Sequence, residues 1–267
     1  MVKVTDSREN ADQYPSPPIT VPLVLHRVVK DTPGMFEDID EKTLIAIAHH
    51  IASGWVVFGG RVGYRSKLSR NWLLTFDDGH SSDYEIVFPV LQNAGIKAVF
   101  FLITDRVGSP GQLSWNQVRE MRRYGMEFGS HGATHASMIA LDREQALNEL
   151  TRSRLHIEDH LGEAVTAFSF PYGYYNSNLI KLTATAGYTA CCLSDHGTVR
   201  LPARVIPRNS INSAMRWPAI LKTLEPSPLV HASWIVEDWT KKLVKRVLSD
   251  RTYQSLRGAI GKNKNKN

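Results

Sequence analysis

The sequence predicts an α/β fold built on a parallel sheet, and three observations carry that prediction. From Asn71 onward, apolar stretches of strand length alternate with segments of helical periodicity, the rhythm of parallel βαβ units. One stretch, Ala98-Val-Phe-Phe-Leu-Ile103, is apolar without interruption, as a strand covered on both faces has to be. Several stretches end in polar, chemically capable residues, the place where α/β proteins hold ligands. An open sheet and a closed barrel both satisfy this pattern.

In chain order, residues 1–20 read as a polar, proline-containing arm. Val21-Pro-Leu-Val-Leu-His26 is a short apolar strand ending on a histidine, and Glu41 to Ser53 has helical spacing, with Asp40 as its cap and Gly54 as its stop. Trp55-Val-Val-Phe58 reads as a strand and residues 59–70 as a basic loop. Trp72, Leu73, Leu74 and Phe76 form a buried strand that stops at Asp77-Asp78-Gly79. A helix over Tyr84 to Asn93 and the strand over 98–103 follow. Ser114 caps a helix to Tyr124, and Met126 to Ser130 is the next strand. Leu141 to Leu161 is a long amphipathic helix, Ala167 to Phe170 a strand, Ser177 to Ala186 a helix and Tyr188 to Leu193 a strand, before Val205 and Ile206 lead into Pro207-Arg208.

With 267 residues, 42% hydrophobic and 22% charged, the chain has the composition of a globular protein. No apolar run approaches the roughly 20 residues that span a bilayer, and the first residues lack the apolar centre of a secretory signal. The expected location is cytoplasmic. Net charge is +6, but nine basic residues and one acid, Asp250, follow Thr240, so the last 27 residues carry +8 and the rest −2. A nearly neutral body argues against nucleic acid as a partner. From Glu237 to Ile260, apolar and basic residues alternate as in a basic amphipathic helix. Such a helix either packs on the body with its charges solvated or makes peripheral contact with anionic membrane, which would suit a lipid-linked saccharide. The only cysteines, Cys191 and Cys192, are neighbours and read as small buried hydrophobes.

Asp77 and Asp78 are adjacent like charges at a strand end, which implies a cation beside them; the alternative is an Asp-Gly turn with a solvated acid. Ser130-His131-Gly-Ala-Thr-His135 places two histidines four residues apart after another strand. Two imidazoles and a carboxylate make a three-ligand site with an open position, the form of catalytic zinc. The same spacing recurs in His156-Ile-Glu-Asp-His160, inside the long helix, where alternating charges predict a solvated face.

Thr75-Phe-Asp-Asp-Gly79, Ser130-His-Gly-Ala-Thr-His135 and Ser169-Phe-Pro-Tyr-Gly173, in that order, resemble the first three motifs of the polysaccharide deacetylases (carbohydrate esterase family four, the NodB-homology domain), over about residues 20–210. The resemblance implies a distorted (β/α) barrel of about seven parallel strands, here with a C-terminal helical basic tail. It implies one divalent ion, zinc foremost, with nickel, cobalt and iron also compatible, held by Asp78, His131 and His135. Asp77 is then the general base, and the backbone N–H of Tyr172 stabilises the oxyanion. The general acid is His26, as in the subgroup resembling poly-N-acetylglucosamine deacetylases, or His231, which matches the late position used elsewhere in the family. Many members carry an arginine where this chain has Ser169; Arg208 resembles a late Pro-Arg of the subgroup. His80 either contacts substrate or caps its turn, and Trp115 and Tyr172 are candidates for stacking on a sugar. The expected organisation is an arm at 1–20, a catalytic domain at 21–225 and a basic helix with a disordered end at 226–267. The implied activity is metal-dependent N-deacetylation of an N-acetylated polysaccharide, oligosaccharide or lipid-linked saccharide. Hydrolysis of a small non-sugar amide, or carbohydrate binding without catalysis, are the alternatives.

Overall fold

The computed structural model describes residues 18–52 and 70–247. Its strands are β1 (Ile19–Leu25), β2 (Val28–Val29), β3 (Ile39–Asp40), β4 (Arg70–Phe76), β5 (Val99–Leu102), β6 (Glu127–Ser130), β7 (Ala167–Ser169), β8 (Ala190–Cys192), β9 (Val199–Arg200), β10 (Val205–Ile206) and β11 (Asn209–Ser210). The helices are α1 (Glu41–Ile51), α2 (Phe88–Asn93), α3 (Trp115–Arg123), α4 (Arg143–Leu161), α5 (Ser177–Thr185), α6 (Trp217–Leu224) and α7 (Pro228–Val247). The expected strand at Trp55–Phe58, the arm and the end of the tail lie outside the described residues.

The main sheet runs β10-β8-β7-β6-β5-β4-β1-β11, and every pairing along that path is parallel. β9 adds to β1 antiparallel. The two ends of the path, β10 and β11, are joined by only Pro207 and Arg208. Two residues cannot cross a flat eight-strand sheet. The sheet therefore curls into a nearly closed barrel, the distorted (β/α) barrel that the motifs imply, with Arg208 in the seam.

Both faces of the strands are buried, which explains their uninterrupted apolar character. Leu73, Val99, Phe101, Ala167, Ala190, Cys192 and Ile206 fill the barrel, while Trp72, Leu74, Phe76, Phe100 and Phe168 lie under the helices. The alternation along β4 and β5 follows the two-residue period of a strand. Phe101 fits inside because its neighbour on β6 is Gly129: a Cβ there would meet the Phe101 ring at 2.5 Å.

Capping boxes start α3 (Ser114 with Gln117) and α4 (Asp142 with Gln145), each cap contributing about 1 kcal/mol. The expected helix over 84–93 begins instead as one π-helical turn, Asp83–Val87, before α2. α6 was not expected; Pro218 sits in its first turn, where a missing N–H costs nothing. α7 begins at Pro228, earlier than the sequence pattern, and its inner face docks on the loop after β8. Asp238 accepts from the His196 amide (2.7 Å) and pairs with its Nδ1 (2.8 Å), and Trp234 stacks on the same ring. No helix among the described residues is long and apolar enough to cross a membrane.

Candidate metal centre and active site

Parallel strands deliver their C-terminal ends to one rim of a barrel. β1, β4, β6 and β7 thus bring His26, Asp77 with Asp78, His131 and Ser169 to the same place. The register is direct: Leu25 lies opposite Phe76, and the Asp77 amide donates to the Leu25 carbonyl (3.0 Å), so His26 follows β1 beside the acid pair.

At the end of β4 the chain turns through two left-handed residues, Asp78 (φ 78°) and Gly79 (φ 68°). Asp tolerates this region better than most side chains. The turn separates the two carboxylates. Asp78 faces the histidines: its Oδ1 is 3.5 Å from His131 Nε2 and 3.4 Å from His135 Nε2. One donor atom from each of Asp78, His131 and His135 falls within 4.8 Å of the others. The opposite ring nitrogens each have a partner. His131 Nδ1 donates to the Ser169 carbonyl (2.8 Å), and His135 Nδ1 lies 3.1 Å from the Tyr172 hydroxyl. The Ser169 carbonyl can only accept, so the His131 Nε2 lone pair is left for a ligand, and the Tyr172 hydroxyl can accept from His135 in the same way.

Asp77 faces the barrel seam. Arg208 Nη1 donates to its Oδ1 and Nη2 to its Oδ2, both at 2.7 Å, while Ser169 Oγ also donates to Oδ2 (3.0 Å). The guanidinium is held in turn by the Leu193 carbonyl (3.1 Å), Thr75 Oγ1 (3.1 Å) and Ser169 Oγ (2.7 Å), and lies over the Phe101 ring. Arg208 is 1% exposed and Asp77 3%. A buried bidentate pair of this kind keeps both partners charged. Burial by itself would raise the Asp77 pKa; the charges of Arg208, His131 and His26 outweigh it and hold Asp77 down to about 2. Asp78, half-buried, is held well below the usual carboxylate range by the His80 hydrogen bond and by the charges of His131, His26 and His135. Burial and the neighbouring His131 charge lower His135 to about 3, so its imidazole is neutral at pH 7.

Arg208 neutralises Asp77, while the Asp78 carboxylate joins the two imidazoles in the three-donor cluster. That donor set fits a divalent transition ion.

Other expected residues fall as follows. Tyr172 sits in a left-handed turn (φ 58°), 42% exposed at the rim. His80 Nε2 is 3.6 Å from Asp78 Oδ2, so it contacts the acid rather than only capping its turn. His231 is on α7 with its ring against Trp234, and it is not among the main groups that influence Asp77 and Asp78. Trp115 stacks on His160 at 3.9 Å instead of facing the rim, and His156 and His160 are accordingly half-buried, not solvated. Residue typing also missed Asp83. Fully buried in the π-helical turn, with neither carboxylate oxygen hydrogen-bonded among the described residues, it is pushed well above the carboxylate range by burial and by Asp78 and Asp77.

Residues 65–191 match the family model for polysaccharide deacetylases. The match covers just under half of the chain. Over 116 residues it is 32% identical to the Bacillus subtilis protein YxkH, whose name assigns it to the polysaccharide deacetylases (43% of this chain, 42% of that one). Over 128 residues it is 29% identical to the poly-beta-1,6-N-acetyl-D-glucosamine N-deacetylase of Staphylococcus epidermidis (42% and 44%). Each alignment thus spans less than half of the curated relative. The fold of the Streptococcus pyogenes deacetylase PplD, solved with acetate, superposes with a TM-score of 0.70 at 20% identity, over 79% of this chain and all of that one.

Proposed function

We propose that the protein is a metal-dependent N-deacetylase of an N-acetylated saccharide. The observation that carries this reading is the convergence of Asp78, His131 and His135 on one point, with Asp77 held beside them by a buried arginine. The match to the polysaccharide deacetylase family model supports the sugar amide as substrate.

Asp78, His131 and His135 would hold the ion, zinc by preference. When bound, it supplies Lewis acidity, drawing electron density from the acyl oxygen and making water a stronger acid. The chain's own residues do the rest. Asp77 orients the attacking water and accepts its proton; Oδ2 already accepts from Arg208 and Ser169, so the second lone pair of Oδ1 remains for this contact. A carboxylate held near 2 is a weak base, so its part is position and a fixed negative charge as much as proton affinity. The Tyr172 N–H donates to the developing oxyanion. As the C–N bond breaks, His26 delivers a proton to the departing nitrogen, leaving acetate and a free amine on the sugar. Ser169 and Arg208 keep Asp77 ionised and in place.

The test is acetate release from β-1,6- and β-1,4-linked N-acetylglucosamine oligomers by zinc-loaded protein. Wild type is expected to turn over at least one of them, and Asp77→Asn to be slower by about 10²–10⁴ with zinc still bound. Turnover unchanged in Asp77→Asn would remove Asp77 from the mechanism.

A further inference from the structure

One buried carboxylate takes no part in that chemistry. Glu149, in the middle of α4, is 7% exposed, and a charge so placed needs strong partners. It finds them in the turn that carries the two candidate histidine ligands. Glu149 Oε2 accepts from the amides of Ala133 (2.9 Å) and Thr134 (3.0 Å), and Oε1 accepts from Thr134 Oγ1 (3.1 Å). Gly132 passes so close that a Cβ on it would meet Glu149 Oε2 at 3.2 Å.

The rest of the turn is equally accounted for. His131 donates to the Leu102 carbonyl (2.8 Å) and Gly132 to Ser130 Oγ (3.1 Å). The carbonyls of Gly132 and Ala133 accept from Thr104 (3.2 Å) and Asp105 (3.0 Å). Arg152 ties the two sides together, binding Asp105 through both terminal nitrogens and lying 3.8 Å from Glu149. Outside a sheet, a turn containing left-handed Gly132 (φ 82°) and His135 (φ 66°) has no ladder to hold it. Two charge-assisted hydrogen bonds to consecutive amides supply the constraint.

We infer that Glu149 is a positioning residue of the metal centre: it clamps the 132–134 backbone so that His131 and His135 present Nε2 to the same point. It acts through the backbone and touches neither ion nor substrate. This rests on the metal-site reading above.

The experiment measures Zn²⁺ affinity by chelator competition and the visible spectrum of the Co²⁺-substituted protein, for wild type, Asp78→Ala, Glu149→Gln, Glu149→Ala and Thr134→Val. Expected is a loss of Zn²⁺ affinity of about 10–100-fold in Glu149→Ala, the range seen for partners that orient ligands, with a shifted Co²⁺ spectrum. Glu149→Gln, which keeps one acceptor oxygen, and Thr134→Val, which removes one donor, should fall between it and wild type. If Glu149→Ala does not fold, those two variants carry the test. Zn²⁺ affinity and Co²⁺ spectrum both unchanged in every Glu149 and Thr134 variant that folds, even at reduced thermal stability, would make the clamp merely structural and overturn the inference. In that event, loss of binding in Asp78→Ala leaves the metal centre standing; wild type without stoichiometric Zn²⁺ would instead bring down the metal-site reading itself.

Discussion

Two histidine pairs in this chain share the same sequence spacing and the same ring separation, 4.9 Å for His131–His135 and 4.9 Å for His156–His160. Their surroundings differ in every other respect. The helical pair stands on α4, with Trp115 stacked on His160 and His160 Nδ1 bonded to the His156 carbonyl one turn back. The pair in the turn has a carboxylate oxygen within 3.5 Å of both Nε2 atoms and a hydrogen-bond partner behind each ring. Spacing brings imidazoles together. It is the backbone around them that decides whether a third donor meets them and which nitrogen they offer.

The strongest way to break this contrast is to exchange its sides. Asp78→Ala should abolish stoichiometric Zn²⁺ binding and lower acetate release by more than about a hundredfold, beyond what loss of an orienting partner achieves. His156→Ala with His160→Ala should leave both within about twofold, as for substitutions away from a site. Isothermal titration and acetate assay read both. Zinc lost from the helical double variant would erase the distinction.

Next in size is Arg208, which neutralises Asp77 beside the turn pair. Arg208→Ala leaves Asp77 as a buried charge without a counter-ion, a loss expected to be about 3–5 kcal/mol of stability, read by denaturant unfolding. Arg208→Lys keeps the charge but not the two-pronged geometry, so it should recover stability more fully than kcat. Equal kcat in Arg208→Lys and wild type would show that the guanidinium fork has no catalytic consequence.

The smallest effect sharpens the comparison through protonation. In metal-free protein, His135 should stay neutral from pH 8 to pH 5, since burial and His131 lower it to about 3. The unfolded chain takes up that proton near the ordinary histidine value of about 6.5, so this group's contribution to stability is complete above that pH and lost as pH falls towards 3. An imidazole NMR titration of His135 with a midpoint between 5 and 8 would refute it.

Much of this architecture was legible in the residues. Uninterrupted apolar runs mark strands buried on both faces, and abrupt endings at Asp77-Asp78 and His131 mark the rim. What could not be read were partnerships that only closure creates. Arg208 meets Asp77 across 131 residues, and its side chain alone resembles any surface arginine. The available hint was a deficit: with Ser169 where an arginine is common, a buried Asp77 needs its cation from elsewhere. Glu149 is an acid in the middle of an amphipathic helix; its charge suggests solvent, although its position falls on the buried face with Ala146, Leu150, Ser153 and Ile157. Asp83 looks like a favourable acid near a helix start. Trp115 was placed with the sugar-stacking candidates because aromatic character says nothing of direction.

The seam of the barrel has one more consequence. The segment that matches the family model stops at residue 191, while Arg208 lies beyond it and His26 before it. A fragment cut to those borders would retain all three candidate ion ligands yet leave Asp77 uncompensated, because the cation that neutralises it arrives only with the two residues linking β10 to β11. Closing the ring and completing the charge balance are one event. A barrel left open at its last strand would leave Asp77 without this counter-ion.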